Sequence, residues 1–395
     1  MTTSTDPDRT PAQPIRSLIV LGSSLTGLAV VRAAQRSGLR CTMLDDRVGP
    51  AARTRRARFH RVPSNHLAAV LEGLAGLRSH ADVALIAESD RWVRFVREHH
   101  GALSAEGWYL LHPDPPALDI CLDKSAFLRW CAERNLPAPR THDPSGIGPD
   151  VLPTFPLMLR PEWTQHSGGT GLPKALEIHS ASELATWLER YSQAGVQPNL
   201  SDSLLTEGLR QFSVAAARDG AGRICTFLAE KVRPTAEACS GGTYVRPAEH
   251  EGIEALAERA LHELDFLGVA EVEILFDPVA GKPYLVEINA RPWLQYGLPV
   301  ACGYDLLGHA LGKQPGCKAS KGRAHAWLDF SSDLYACFSR SEGLVRTGRL
   351  SFADYLRSML TADVYIIWQW RDPMPFLAFL GEIFRNRIPR GRTRN

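Results

Sequence analysis

The sequence predicts an α/β protein that opens with a Rossmann-like, doubly wound unit, continues as an α+β body and ends in a helical tail. Three observations carry that prediction. A strand, a Gly/Ser turn and an amphipathic helix follow one another from Ser17; strand and helix patterns then alternate to about residue 312; and residues 271–291 sort acids and hydrocarbons onto opposite faces of a hairpin. At 395 residues the chain exceeds the roughly 100–200 residues of one domain, so two or three domains with a cleft between them are expected.

The opening run, SLIVLGSSLTGLAVVRAAQRSGLRCTMLDD, reads as a buried strand, a turn at 22–27, a helix ending at Gly38 and a second strand ending in Asp45 and Asp46. A third strand at 82–87 leads into a helix at 91–100, and the unit closes near Pro116. The first fifteen residues are rich in Thr, Asp and Pro and have no apolar core. They read as a disordered lead-in, not a signal peptide. A new helix opens at 123–134, followed by the breakers Pro137, Pro139, Pro144 and Gly146. Strands at 155–160 and 175–178 flank a glycine loop at 166–171, and a helix at 182–191 takes Ser182 as its N-cap. Segments 204–209, 212–218 and 224–230 read as strands, 234–243 as a mobile loop, and 251–267 as a helix. Beyond Gly312 lie a basic connector, 313–324, and a Trp- and Phe-rich helical tail, 325–395.

A net charge of +2 is too small to imply a nucleic-acid partner. The eight cysteines (Cys41, Cys121, Cys131, Cys225, Cys239, Cys302, Cys317 and Cys337) form no CxxC pair and no Cys/His cluster, which suits free thiols in a reducing cytoplasm. No apolar run reaches the ~18 residues that span a bilayer. The tail segment 375–388 is amphipathic and leads into several arginines. It suits either peripheral contact with an anionic membrane or packing on the body of the protein or on a second copy in a homodimer, and packing is the expectation.

In the hairpin, two β-branched and aromatic runs flank the turn signal Asp277, Pro278, Gly281 and Lys282. If Glu273 lies opposite Glu287, then Glu271 lies opposite Asn289, and all four share a face with Arg291. Val272, Ile274, Phe276, Val286 and Ile288 then fill the other face. Opposed carboxylates repel, so the pair asks for a cation. The oxygen-only set Glu273, Glu287 and Asn289 selects a hard one, magnesium with nucleotide phosphates before all others. A solvated amphipathic hairpin with no ligand has the same pattern. The turn at 22–27 is an incomplete dinucleotide fingerprint, since its middle glycine is Ser24. The loop Ser167, Gly168, Gly169, Thr170 and Gly171 joins two strands, so it is no Walker loop, although glycine amides at a hairpin tip can fold over phosphates.

The order of these parts resembles the ATP-grasp superfamily and, within it, carboxylate–amine ligases close to D-aspartate ligase. The likeness rests on ESDRWVRFVREHH, CLDKSAFLRWCAERNLPAPRT and above all LVEINARPW, and covers about residues 17–312. It implies a pre-ATP-grasp domain at 16–117, an ATP-grasp small subdomain at 118–203 and a C-terminal subdomain at 204–312, the last two clasping ATP. It also implies magnesium, or manganese in its place, on Glu273, Glu287 and Asn289. Lys124, Arg160, Lys174, Lys231 and the glycine loop would then meet the phosphates, and Glu207 the adenine–ribose side. Arg160 stands where the family usually has lysine. Arg291 and Lys231 are the implied catalytic residues, with Arg233 and Arg246 as weaker candidates. The implied reaction activates a carboxylate as an acyl phosphate and joins it to an amine, releasing ADP and phosphate. Two other classes stay open: an NAD-dependent oxidoreductase built on the first unit, and a catalytically silent ATP-binding regulator.

Overall fold

The structure is a computed structural model that describes residues 10–11, 13–77, 82–144, 153–161, 171–173, 175–206, 208–234, 241–313, 316–317, 323–339 and 343–387. Its first sheet contains β1 (Ser17–Leu21), β2 (Arg40–Asp45), β3 (Arg58–Arg61), β4 (Val83–Ala87) and β5 (Tyr109–Leu110). The strands run parallel in the order β3-β2-β1-β4-β5. Helix α1 (Leu25–Arg36) joins β1 to β2, α2 (Leu67–Ala75) joins β3 to β4, and α3 (Asp90–Glu98) and α4 (His100–Ala105) join β4 to β5. All five residues of β4 and four of five in β1 are buried, as strands covered on both faces require. The expected lead-in ends too late: Ile15 is 1% exposed within the core, and the amide of Arg16 already bonds to Asp82.

Helices α5 (Pro115–Leu122) and α6 (Lys124–Glu133) lead into a small antiparallel sheet of β6 (Thr141–His142), β7 (Leu157–Pro161), β8 (Leu176–Ile178) and β9 (Pro198–Asp202), in the order β6-β9-β7-β8. Helix α7 (Ala181–Gln193) packs beside it. Its N-cap is Ser180, which accepts from the Glu183 amide at 3.3 Å, so Ser182 lies inside the first turn. The strand expected at 204–209 is absent among the described residues, and β9 takes its place one step earlier. Pro198, Asn199, Ser201 and Asp202 have weak strand propensity, and their pairing with β7 and β6 overrides it.

The third sheet comprises β10 (Arg210–Arg218), β11 (Ile224–Pro234), β12 (Gly242–Pro247), β13 (Gly268–Asp277), β14 (Lys282–Asn289), β15 (Trp327–Leu328) and β16 (Val364–Tyr365), ordered β14-β13-β10-β11-β12-β15-β16. Helix α8 (Glu251–Glu263) covers one face, where Val272, Ile274, Phe212 and Val214 join the apolar cluster that includes α3, α5 and α6. The other face meets α1, α9 (Gly297–Ala301) and α10 (Leu306–Ala310) through Ala215, Ala217 and Phe227. At the uncovered end of this second face, small apolar residues give way to polar ones.

The tail packs on the body, as expected, but it is not wholly helical. β15 and β16 extend the third sheet; α11 (Phe330–Phe338), α12 (Phe352–Thr361) and α13 (Met374–Arg387) complete the chain. Trp327 is 1% exposed, and Phe376 and Phe379 of α13 pack on the shared core. That packing takes up two of the apolar side chains a membrane contact would use, and the structure does not support membrane contact by the tail. Among the described residues, no helix is long and apolar enough to cross a membrane.

Candidate functional site

β13 and β14 pair with Glu273 opposite Glu287 and Glu271 opposite Asn289, the register expected from alternation. Beyond Glu273 the ladder shifts: Ile274 pairs with Leu285, leaving Val286 as the extra residue of a bulge. Leu285 is therefore the fully buried residue, whereas Val286, expected in the core, is only half-buried. The shift falls between the acids and the turn, so the acids keep their common face.

That face is completed from other strands. Lys231 of β11 reaches across β10 until its Nζ lies 2.8 Å from Glu273 Oε1 and 3.1 Å from Glu271 Oε1. From β10, Ser213 Oγ donates to Glu271 Oε1 at 2.7 Å and Gln211 Nε2 to Glu273 Oε2 at 3.4 Å. Asn289 Nδ2 donates to Glu271 Oε2 at 3.2 Å and to Glu287 Oε1 at 3.3 Å. Lys124, set at the start of α6 by the Asp123 cap, forms an ion pair with Glu287. The repulsion between the opposed acids is thus answered by two lysines from two different elements.

Burial and neighbouring charge compete in the acid–base behaviour of the group. It acts to lower the Lys231 pKa, but the carboxylates of Glu271 and Glu273 outweigh it and hold the ammonium well above its ordinary value. Glu273 is pushed up to about 6 by burial, with Glu271 and Glu287 adding to the rise and Lys231 opposing it. Burial would also raise Glu287, but Lys124, then Arg160 and Lys231, bring it down to about 2. Arg291 lies half-buried against Asp90: its Nε donates to Asp90 Oδ1 at 2.5 Å and its Nη2 to Asn289 Oδ1 at 3.2 Å. Burial opposes its charge, but Asp90 more than compensates and raises its pKa.

The structure therefore brings Lys124, Lys231, Glu273, Glu287, Asn289 and Arg291 together, with Arg160 of β7 near enough to act on Glu287. Ser167, Gly168, Gly169, Thr170, Lys174 and Glu207 lie outside the described residues, as do 235–240 of the expected mobile loop. Gly171 is described, with φ of 72°. Arg233 and Arg246 are committed elsewhere. Arg233 forms a bidentate pair with buried Asp333, and Arg246 lies 3.7 Å from Glu230. Sequence reasoning missed Gln211, Ser213 and Asp90. The first two were signalled by the polar alternation of Arg-Gln-Phe-Ser at the head of β10, whereas Asp90 is recognisable only from its contact with Arg291.

The donor set fits a hard cation held together with phosphates. All its ligand atoms are oxygens. Three carboxylates, Glu271, Glu273 and Glu287, share this face, and after burial the charges of Glu271 and Glu287 add to the rise at Glu273. Among the described residues, Arg160 Nε is buried with no hydrogen-bond partner, which is costly unless an acceptor arrives. Among the described residues, no three His, Cys, Asp or Glu side chains already stand at metal-holding geometry. Lys231 and Lys124 sit on the carboxylates instead.

The first glycine turn is filled by the protein itself. Glu88, 4% exposed at the end of β4, accepts from the Gly27 amide at 3.1 Å and from Ser24 Oγ. A Cβ on Gly22 would lie 2.2 Å from its Oε1. Its carboxylate takes the helix N-terminus where a pyrophosphate would bind. Asp45, where a ribose partner would stand, is held by Ser23 and Arg91. Among the described residues, this turn offers a nicotinamide cofactor no open phosphate site.

Neither a protein-family model nor a curated protein sequence gives a match. Solved structures do. The N5-carboxyaminoimidazole ribonucleotide synthetase of Thermus thermophilus superposes with a TM-score of 0.59 at 18% identity, covering 78% of this chain and 81% of that one. Biotin carboxylase of Campylobacter jejuni, in complex with an ATP analogue, gives 0.59 at 13% identity over 78% and 73%. Pyruvate carboxylase of Rhizobium etli gives 0.58 at 18% identity over 76% of this chain but 28% of that enzyme, so the chain spans under a third of it. Parallel first sheet, small antiparallel sheet and large sheet with its acidic hairpin together make this chain an ATP-grasp fold.

Proposed function

We propose that the protein is an ATP-dependent carboxylate–amine ligase, and that magnesium binds at Glu273, Glu287 and Asn289. The observation that carries this reading is the single polar face on which Lys124, Lys231, Glu273, Glu287, Asn289 and Arg291 converge from α6 and three strands. The ATP-grasp fold supports it, as do similar structures described with ADP or with an ATP analogue. A carboxylate resists attack by an amine because its leaving group would be oxide. Phosphorylation by ATP supplies a better one, and phosphoryl transfer asks the protein chiefly for positioning and charge neutralisation. The metal would supply Lewis-acid neutralisation of the phosphates. Lys124 and Arg160 hold positive charge at Glu287, where phosphate oxygens can compete for it, and Lys231 keeps its proton throughout. Arg291, fixed by Asp90 and Asn289, presents a guanidinium to the substrate carboxylate. None of these steps needs a nucleophilic side chain, which agrees with a face made of cations and carboxylates.

The test is ADP release by the purified protein against a panel of carboxylic acids and amines, singly and in pairs, with hydroxylamine as an acyl-phosphate trap. The proposal requires ADP formation that depends on one carboxylate, with a matching hydroxamate. ADP formation indifferent to every acid in the panel would overturn it.

A further inference from the structure

The geometry points to a second binding site, remote from the acidic hairpin, for a small amphipathic anion with a ring-sized apolar body and a carboxylate or phosphate head. It lies between α1 and the chain that follows β16. An inner cavity of about 140 Å³ is walled by Ala33, Leu294, Val300, Trp327, Ile366 and Trp368. A cavity of about 150 Å³ accommodates benzene, so this one, open at an arginine-lined mouth, has room for one ring or a short alkyl chain. It shares Arg32, Arg36 and Gln369 with an outer recess of 450 Å³, whose remaining walls include Arg56, Trp370 and Arg371.

The mouth carries an excess of positive charge. Of its four arginines, Arg32 and Arg56 are answered by one buried carboxylate, Asp372, at 3.2 and 4.0 Å. Thr54 also donates to that carboxylate, at 2.7 Å. Arg36 uses Nη1 on the Val300 carbonyl at 2.7 Å. Among the described residues, no carboxylate lies within ion-pair distance of Arg36 or Arg371. Among the described residues, Asp363 is the one acid in either lining, and it pairs with His325 at 3.2 Å. Guanidinium groups suit planar or tetrahedral oxyanions.

A further observation concerns Trp370, which is 84% exposed in the wall of the outer recess and meets Trp368 edge-to-face at 5.0 Å. A large aromatic left in water beside an arginine-rich recess is poised to cover an apolar group. The inner cavity favours a small molecule over a polyanion, because a phosphate chain would leave its apolar walls unfilled. This inference does not depend on the ligase reading.

The test uses the full chain, with calorimetry and tryptophan fluorescence. The probes are 3-phenylpropionate and phenyl phosphate, compared with 3-phenylpropanol and 3-phenylpropylamine. The acids should bind saturably, with the alcohol and the amine at least ~10-fold weaker. Arg371→Gln, at an exposed position, should weaken the acids several-fold, and Arg36→Gln with Arg371→Gln at least ~10-fold. Ala29→Leu, in the lining of the inner cavity, should exclude the ring, while the urea midpoint stays at that of the parent. Equal binding of acid and alcohol, or no effect of the paired arginine substitutions, overturns the inference. So does a short oligonucleotide that binds this face when the aryl acids do not.

Discussion

Glu273 and Glu287 are directly opposed on one hairpin, yet their environments drive them apart: burial and like charge raise one to about 6, while Lys124 brings the other to about 2. The consequences for stability have opposite signs. Glu273 binds a proton more tightly when folded, so its contribution is fully present below its ordinary value and is lost as pH rises through about 6. Glu287 contributes above its ordinary value and loses that contribution only as pH falls toward 2. In metal-free buffer, therefore, Glu273 should make the protein less stable at pH 7 than at pH 5, by on the order of 1–2 kcal/mol. Glu273→Gln should remove that part of the slope. Identical pH slopes of melting temperature for the two proteins would refute the assignment.

Removal of charge separates the lysines from the acids at the same scale. Glu287→Gln leaves Lys124 with a partly exposed side chain that water can solvate, so the protein should fold normally while ADP formation falls about 100-fold or more. Lys231→Met is different, because it strands Glu271 and Glu273 with side chains only 5% and 17% exposed. That should cost roughly 3–5 kcal/mol, seen as a large drop in urea midpoint. A Lys231→Met protein as stable as the parent would show that the buried ion cluster is not held as described.

The hairpin shows how far an element can be read from its sequence. Period-two alternation placed Glu271, Glu273, Glu287 and Asn289 on one face and gave their register, because strong polarity marks each position. It could not reveal the bulge: Leu285 and Val286 are both apolar, and which of them faces the core depends on β13. β9 was hidden for a related reason, since its residues favour turns and its strand exists through β6 and β7. Gln211 and Ser213 were visible as alternation but lacked meaning until β10 was known to lie between Lys231 and the acids. The bulge yields its own prediction. Leu285→Thr should destabilise by about 2–4 kcal/mol, through lost packing and a buried hydroxyl, and Val286→Thr by under about 1 kcal/mol. Equal costs in denaturant titrations would restore simple alternation.

The whole molecule departs most from expectation beyond Gly312, where the resemblance ends and sequence patterns weaken. Two-residue strands such as β15 and β16 leave almost no periodic signal, yet they extend the third sheet, and between them α11 contributes Asp333, which is fully buried. Asp333 Oδ1 and Oδ2 accept from Arg233 at 2.7 and 2.9 Å, and Oδ1 also accepts from Thr243 Oγ1 at 2.8 Å. Arg233 lies over the ring of Tyr244 at 4.0 Å and donates to Ser358 of α12 at 2.8 Å. One carboxylate from the C-terminal region thus joins the ends of β11 and β12, two residues from Lys231. A chain ending at 312 would uncover Tyr244 and Val245, which pair with Leu328 and Trp327, and would leave Arg233 without its anion. It should therefore be insoluble or unfolded, lacking the cooperative melt of the full protein. Asp333→Ala in the full chain isolates the ionic part and should cost roughly 3–5 kcal/mol, whereas Arg233→Met with Asp333→Leu, which removes both charges, should recover most of that loss. If Asp333→Ala melts like the parent, or the double variant is no better than the single, the C-terminal region is an appendage and the third sheet stands without it.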